Sequence, residues 1–448
     1  MRHCMGSIGL FFELLQVSLG NKLELSLNPL EREWRELFIY AKKHALVGIS
    51  FMAIERLPKI QRPPKPLLMQ WYMATQQIKS MNVDLDCKAL KVANRFLDDG
   101  FSSVILKGQG IAQLYGVGQI ENSKLKIENC HPDAQHSTLK AQLSSYRTPG
   151  DIDIWLNGSR KEILSYVRKH VPNSVVVYHH ADFLKIEGVE VEVHFTPSWM
   201  NSPVTNRRLQ RFFRESADAL FARNDNVDAD AKRASVATAE GLSSQRSFSC
   251  LPDGEFSFFN SQTVPLFIEG RAEQSEAEGV TSVARRQSYS EIPSPSLAFN
   301  RVYILVHIYR HLFHEGIGLR QLMDYYFVLQ QGFTEEEREE TMQVLRSLKM
   351  QRFAGAVMWV LQHVYGMDSR YLLTEPNERE GRFLLNEIML AGNFGQYDER
   401  LQHERGEAAL HWGLRKIKRN FRFVRSYPSE VQWSPVFKLW HYFWRKLI

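Results

Sequence analysis

From about residue 8 to 100, apolar residues recur at spacings of three and four. Trp34, Leu37, Phe38, Ala41, Ala45 and Leu46 form one such series, which is the spacing of an amphipathic helix. A proline-rich break from Pro58 to Pro66 follows. The pattern then predicts a second long helix from about Leu67 to Leu97, with Met73, Ile78, Met81, Leu85, Leu90 and Phe96 on its buried side. After it the period changes. Ser103 to Leu106 reads as a strand, Lys107-Gly-Gln-Gly110 as a turn, and the residues to Tyr115 as a helix. Ile152, Ile154 and Leu156 alternate with Asp151 and Asp153, and the valines of Val189 to Phe195 alternate with Glu190, Glu192 and His194, the period-2 pattern of half-buried strands. Between these, Gly158 to His170 reads as a helix, and Ser174 to His180 and Ala181 to Glu187 as strands.

Two stretches lack a sustained period. The polar run near 118–145 reads as an insertion projecting from the core, since a long structureless loop inside a compact domain is unusual. Residues 223–293 are of low hydrophobicity and read as a mobile insertion with one hairpin near Phe256 to Phe267. From Ser296 the pattern is helical again, with Leu297 to His314, Ile317 to Leu329, and at least one helix pair between Thr334, which opens a capping signal, and Asp368. The fold class expected is α+β, a mixed sheet with packed helices. Its segments are an N-terminal helical region (1–100), a core (101–222), the second insertion (223–293) and a C-terminal helical region (294–448).

Composition narrows the class. A chain of 448 residues with 44% hydrophobic and 24% charged residues is globular in character. No apolar run approaches the roughly 20 residues of a membrane-spanning helix. Ile8 to Val17 is interrupted by Glu13 and reads as a buried helix instead of a leader. Cys4, Cys87, Cys130 and Cys250 have no paired spacing, which suggests a reducing, cytoplasmic setting. The net charge of +6 is concentrated at the end of the chain, where residues 411–448 carry nine Lys or Arg against the single acid Glu430. Trp412, Trp433, Trp440 and Trp444 interleave with these basic residues. That composition reads first as a helix with a solvated basic face and aromatic packing, and it also suits nucleic acid or an anionic membrane surface.

The candidate chemistry lies on the strands. Asp151 and Asp153 share one strand face, and two carboxylates that close repel unless a cation neutralises them. Mg2+ is commonly held by one or two carboxylates together with substrate phosphates. Glu190 and Glu192 share a face too, and alternation does not choose between them. Glycines before a helix leave N–H groups facing an anion, and Lys107 adds charge to that turn. His307, His311 and His314, at i, i+4 and i+7, occupy one helix face and read as the polar lining of a cleft.

Leu106-Lys-Gly108, then Arg147 and Gly150-Asp-Ile-Asp-Ile154, then Val191-Glu-Val-His-Phe195, followed by a His-rich helix ending near Asp324, together resemble bacterial nucleotidyltransferase-family proteins of the polymerase-β-like superfold. The turn reads Lys107-Gly108-Gln109-Gly110 where that superfamily usually has Gly-Ser or Gly-Gly. The resemblance implies transfer of NMP from an NTP to a hydroxyl-bearing acceptor, with Mg2+ (or Mn2+) as cofactor. It implies Asp151, Asp153 and Glu192 as catalytic and metal-binding residues, choosing Glu192 over Glu190. Lys107, Gly108, Gly110 and Arg147 would bind nucleotide, and His194, His307, His311 and Asp324 would support the site. The competing expectation is an inactive protein of the same fold that binds a nucleotide, nucleic acid or a membrane surface through its basic tail.

Overall fold

The computed structural model describes residues 2–115, 143–237, 288–400 and 409–447. The first insertion and the hairpin near Phe256 to Phe267 therefore lie almost wholly or wholly outside the described residues. The chain opens with helices Arg2–Ser18, Glu31–Lys43, Val47–Arg56 and Lys65–Asp98. Strands β1 (Ser103–Ile105), β2 (Ile152–Leu156), β3 (His180–Asp182) and β4 (Val191–His194) follow, with helices Gln109–Ala112 and Arg160–His170 between them. Among the described residues, all further elements are helical. The fold is α+β and nucleotidyltransferase-like.

The sheet has the order β1-β2-β4-β3, with β2 and β4 parallel and both outer pairings antiparallel. The parallel pairing sets Asp153 opposite Glu192 and Trp155 opposite His194. The antiparallel pairing of β3 sets His180 opposite His194 and Asp182 opposite Glu192. Alternation then sorts the side chains. Ile152, Ile154, Leu156, Val191, Val193 and Ala181 are buried against Leu85, Ala89, Val92 and Phe96 of the Lys65–Asp98 helix and Ile163 and Val167 of the Arg160–His170 helix. The polar set faces the other way, toward the C-terminal helices. The two strands expected from Ser174 to Glu187 shrink to β3 and isolated bridges at Val176–Ala181 and Ile186–Val189.

Of the positions expected on the buried side of the Lys65–Asp98 helix, Leu85 and Phe96 are buried and Ile78 and Leu90 half-buried, but the methionines are not. Met73 and Met81 are exposed, while Trp71, Thr75, Asn82, Leu85, Ala89, Val92 and Phe96 are buried. Asn82 earns its interior place by donating from Nδ2 to the carbonyls of Arg147 (2.7 Å) and Ser145 (2.9 Å). It therefore fixes the segment that enters β2, and hydrophobicity alone misplaced Met73 and Met81 because the buried seam includes polar residues with partners.

The C-terminal helices form the larger core. All of Leu319–Gln330 and most of Leu297–His314 are buried, as befits interior helices that are apolar on most sides. Thr334 and Glu337 cap Glu335–Ser347 reciprocally, as the sequence pattern predicts. The N-terminal helices belong to this same core, not to a separate one. Asn21, for example, donates to the carbonyl of Tyr365 at 2.6 Å. The Pro203–Ala237 helix continues past residue 223. No described helix is long and apolar enough to cross a membrane.

The last helix, Pro428–Leu447, returns to the sheet. Its Phe437 stacks on Trp199 (4.1 Å), Trp440 meets Tyr178 (5.8 Å), and the Arg160 guanidinium lies 4.3 Å from the Trp444 ring centre. Glu430 anchors the helix by accepting from the backbone N–H of Asn201 at 2.8 Å. Burial raises the Glu430 carboxyl from 4.5 to about 7, although bonds from Asn201, Ser202 and Thr205 oppose the rise. An acid with a raised folded pKa favours folding most at low pH. Stability is thus expected to fall as pH rises from about 4.5 to about 7 through this group. Glu430→Gln should gain in melting temperature relative to the parent between pH 5 and pH 8 in paired thermal melts. A difference that stays constant with pH would contradict this.

Candidate active site

Sheet register brings the acidic residues together. Asp153 and Glu192 sit side by side on β2 and β4, and Asp151 precedes β2 on the same face. Asp153 is 1% exposed at its side chain, Glu192 30% and Asp151 34%. A buried carboxylate needs a partner, and Asp153 has two. Lys107 Nζ lies 2.9 Å from one oxygen and His194 Nε2 lies 3.0 Å from the other. Lys107 is also 3.6 Å from Asp151, so its ammonium sits between the two aspartates.

The electrostatics follow from this crowding. Burial alone would lower the Lys107 pKa, but Asp153, Asp151 and Glu192 outweigh it and hold the amine charged. Burial works against charge on Glu192 too, and there His194 and Lys107 leave its carboxyl below the ordinary range. His194, buried but bonded to Asp153 and Glu192, is shifted upward. His180 is pushed down to about 3 by burial and by the neighbouring His194. His180 Nδ1 lies 3.3 Å from Glu192 Oε2 and 3.2 Å from His179 Nε2, which accepts from Arg310 at 2.5 Å.

These groups open onto a cavity of about 900 Å³. Lys107, Asp151, His180 and Glu192 form its sheet side, and Arg310, His311, His314 and Glu315 its helical side. The third side is the tail, which contributes Phe437, Lys438, His441, Tyr442, Arg445 and Lys446. Part of the basic face also looks across a cleft at carboxylates, while Lys418, Arg422, Arg425, Arg445 and Lys446 stay exposed as expected. Glu190 is elsewhere. It is 70% exposed, pairs with Lys185, and lines a smaller hollow with Asp84 and Gly150.

Other residues singled out from the sequence have different places. Gly108 takes a positive φ of 61°, and a Cβ on Gly110 would lie 2.2 Å from the Ile105 carbonyl oxygen. Both glycines are required by the tight turn out of β1, and the helix they open has four residues. Arg147 is buried and does not line the cavity; it makes a bidentate pair with Asp324 at 2.7 and 2.8 Å. Tyr115 donates to the same carboxylate at 2.6 Å. Asp324 is thereby held below its ordinary range against the effect of burial. His311 lines the cavity and pairs with Glu315 at 3.0 Å, whereas His307 packs between Tyr303 and His311.

His179, His180, Asp182 and Arg310 were not singled out from sequence. A signal was present for two of them, because His180-Ala-Asp182 repeats the polar-apolar-polar alternation of the other strands. Arg310 had no local signal. Its role depends on which helix face meets the sheet.

A small mixed sheet that displays paired carboxylates to a cleft, backed by helices, defines a nucleotidyltransferase-like protein. The family model described as "Uncharacterised nucleotidyltransferase" matches residues 31–120 and 269–366, and over these two segments the chain is similar to that family. The matched segments include Lys107 and the helices carrying His307, His311 and Asp324, while Asp151, Asp153 and Glu192 fall between them. No curated protein and no solved structure matches the chain.

The Arg147–Asp324 pair ties the entry of β2 to the Leu319–Gln330 helix. Removing one member of a buried pair leaves an uncompensated charge and costs about 3–5 kcal/mol. Arg147→Ala should lower stability by that amount in denaturant unfolding. Replacing both residues by apolar ones of similar size should cost much less. A single mutant as stable as the parent would show that the pair carries no such load.

Proposed function

We propose that this protein is a metal-dependent nucleotidyltransferase that moves NMP from an NTP to a hydroxyl-bearing acceptor. The observation that carries the reading is the parallel register setting Asp153 beside Glu192, next to Asp151, on a cleft whose opposite wall is cationic. The donor set suits a divalent cation. Ligand atoms of Asp153, Glu192 and His194 lie within 4.8 Å of one another, and carboxylate oxygens are the usual ligands of Mg2+ and Mn2+. Asp151, Asp153 and Glu192 would hold it. When bound, such a cation supplies Lewis-acid stabilisation of phosphoryl charge.

The chain's own residues do the remainder. Glu192 accepts the proton of the acceptor hydroxyl as its oxygen bonds to the α-phosphorus. The bond from that phosphorus to the β-phosphate oxygen breaks, and pyrophosphate leaves. Arg310, Lys438, Arg445 and Lys446 on the facing walls stabilise the leaving polyphosphate, whose charge is best met by preplaced cations. Lys107 lies between the two aspartates and offsets their repulsion. Arg147 acts from a distance, by fixing the strand entry. The basic tail is here a substrate wall, in place of a nucleic-acid or membrane contact.

A second reading has one observation behind it. Lys107 between Asp151 and Asp153 already neutralises their repulsion, which is what an inactive nucleotide-binding member would need. Incubation with each α-labelled NTP and Mg2+ or Mn2+, followed by separation of protein, RNA and small acceptors, separates the two. Transfer of label is expected, with pyrophosphate released in equal amount. Glu192→Gln should lower turnover by a factor of about 100 or more, the scale of general-base loss, with nucleotide binding nearly intact, and Glu190→Gln should do far less. Nucleotide binding without transfer under any metal would favour the inactive reading. A larger defect at Glu190 would contradict the assignment of Glu192.

A further inference from the structure

We propose that Phe394 is the platform on which the nucleobase of the NTP stacks, so that the cleft binds a nucleoside triphosphate more tightly than the bare polyphosphate. This rests on the transferase reading and extends it to the part of the substrate that does not react.

Backbone strain singles the residue out. Phe394 takes φ 51° and ψ 29°, the left-handed region, which so large a side chain rarely adopts. Strain of this kind persists only where the surroundings enforce it, and it gathers at functional sites. Here close backbone packing does the enforcing. Phe394 lies just beyond the Glu378–Ala391 helix, between Gly392 and Gly395, whose φ values are also positive at 65° and 69°. That turn is pressed onto Gly316 and Gly318, which follow the Leu297–His314 helix. A Cβ on Gly316 would lie 2.9 Å from the Gly395 Cα, and one on Gly318 2.8 Å from the Asn393 Cα. On another side, a Cβ on Gly392 would lie 2.9 Å from the Lys43 carbonyl oxygen. None of these approaches admits a side chain. The turn is thus fixed against the wall that carries His311, His314 and Glu315, and the half-buried Phe394 lines the same cavity.

The ring is backed by charge and joined to the catalytic strand. The Arg320 guanidinium carbon lies 5.4 Å from its centre, and the His311 ring meets it 5.6 Å away at 60°. Arg320 in turn donates from Nη1 to the Thr148 carbonyl at 2.9 Å, three residues before Asp151. One side chain therefore ties the position of the ring to that of the carboxylates.

The other aromatic residues of the cavity are engaged with one another. Trp199 stacks on Phe437 at 4.1 Å, His441 stacks on Phe437 at 5.7 Å, and Tyr178 meets Trp199 and Trp440 edge-on. Phe394 stands apart from that cluster. Every base presents a π-face, and an aromatic side chain binds it whatever its identity. The phosphates of the substrate belong with the carboxylate-bound cation and the cationic tail, which leaves the uncharged base for the uncharged ring.

The test is equilibrium binding to the full chain, with Mn2+, of the α,β-methylene analogues of ATP and UTP, in which the reacting bond cannot break. Inorganic tripolyphosphate, which has no base, is the comparison. Phe394→Leu keeps apolar bulk without the π-face, and Phe394→Asn removes the ring while suiting the left-handed backbone. Both should weaken analogue binding at least about fivefold, the low end of base–aromatic stacking, and leave tripolyphosphate binding unchanged. Phe394→Tyr should bind the analogues as the parent does. Should Phe394→Leu fail to fold, Phe394→Asn, with its backbone strain relieved, still decides the matter. Unchanged analogue affinity in a folded variant, or an equal loss for tripolyphosphate, would overturn the proposal. The two readings fail separately. Analogue binding that needs the Phe394 ring without any NMP transfer overturns the transferase chemistry alone, whereas transfer by Phe394→Leu or Phe394→Asn at the parent's nucleotide affinity overturns the platform alone.

Discussion

Like charges crowded on one face of a short sheet are the constraint around which this molecule is built. Asp151, Asp153 and Glu192 are brought within reach of one another by the parallel pairing of β2 and β4, and their repulsion grows as water is removed. The fold answers with Lys107, whose ammonium lies between the aspartates, and with His194 bonded to the most buried of the three. An arrangement that needs such compensation is costly as structure and useful as chemistry, which is the usual reason for tolerating it.

The rest of the chain keeps that face in place and shapes what can approach it. Behind the sheet, the second half of the Lys65–Asp98 helix covers the apolar side chains of β1, β2 and β4. At the entry to β2, Asn82 and the Arg147–Asp324 pair fix the backbone from two directions. In front, the Leu297–His314 helix supplies Arg310 and His311, and the last helix closes the cavity with Lys438, Arg445 and Lys446. The cleft is therefore anionic on its sheet wall and cationic on the walls facing it, which suits a substrate carrying both a metal-binding phosphate and further negative charge.

Much of the sheet face could be read from sequence, because strand alternation is a local property. Asp151, Asp153 and His194 are recognisable from period-2 runs, Glu192 only with Glu190 beside it, and the capping pair Thr334–Glu337 from spacing. Long-range facts were not legible in the same way. Arg147 was read as a nucleotide-binding residue, and its pairing with Asp324, 177 residues away, has no local signal. The tail's exposed basic residues and aromatic packing were legible, but only tertiary packing of Phe437 on Trp199 shows which side meets the cavity. Met73 and Met81 misled for a related reason, since the buried seam of their helix is set by Asn82 and its carbonyl partners as much as by apolar residues.

The most direct measurement is diffraction from crystals grown with Mn2+ and a non-hydrolysable NTP analogue, collected at the manganese absorption edge. The account predicts an anomalous peak bonded to Asp153 and Glu192, with the α-phosphate beside it and the polyphosphate directed toward Lys438 and Arg445. Nucleotide bound elsewhere, or manganese absent from Asp153 while the nucleotide is in the cleft, would contradict it.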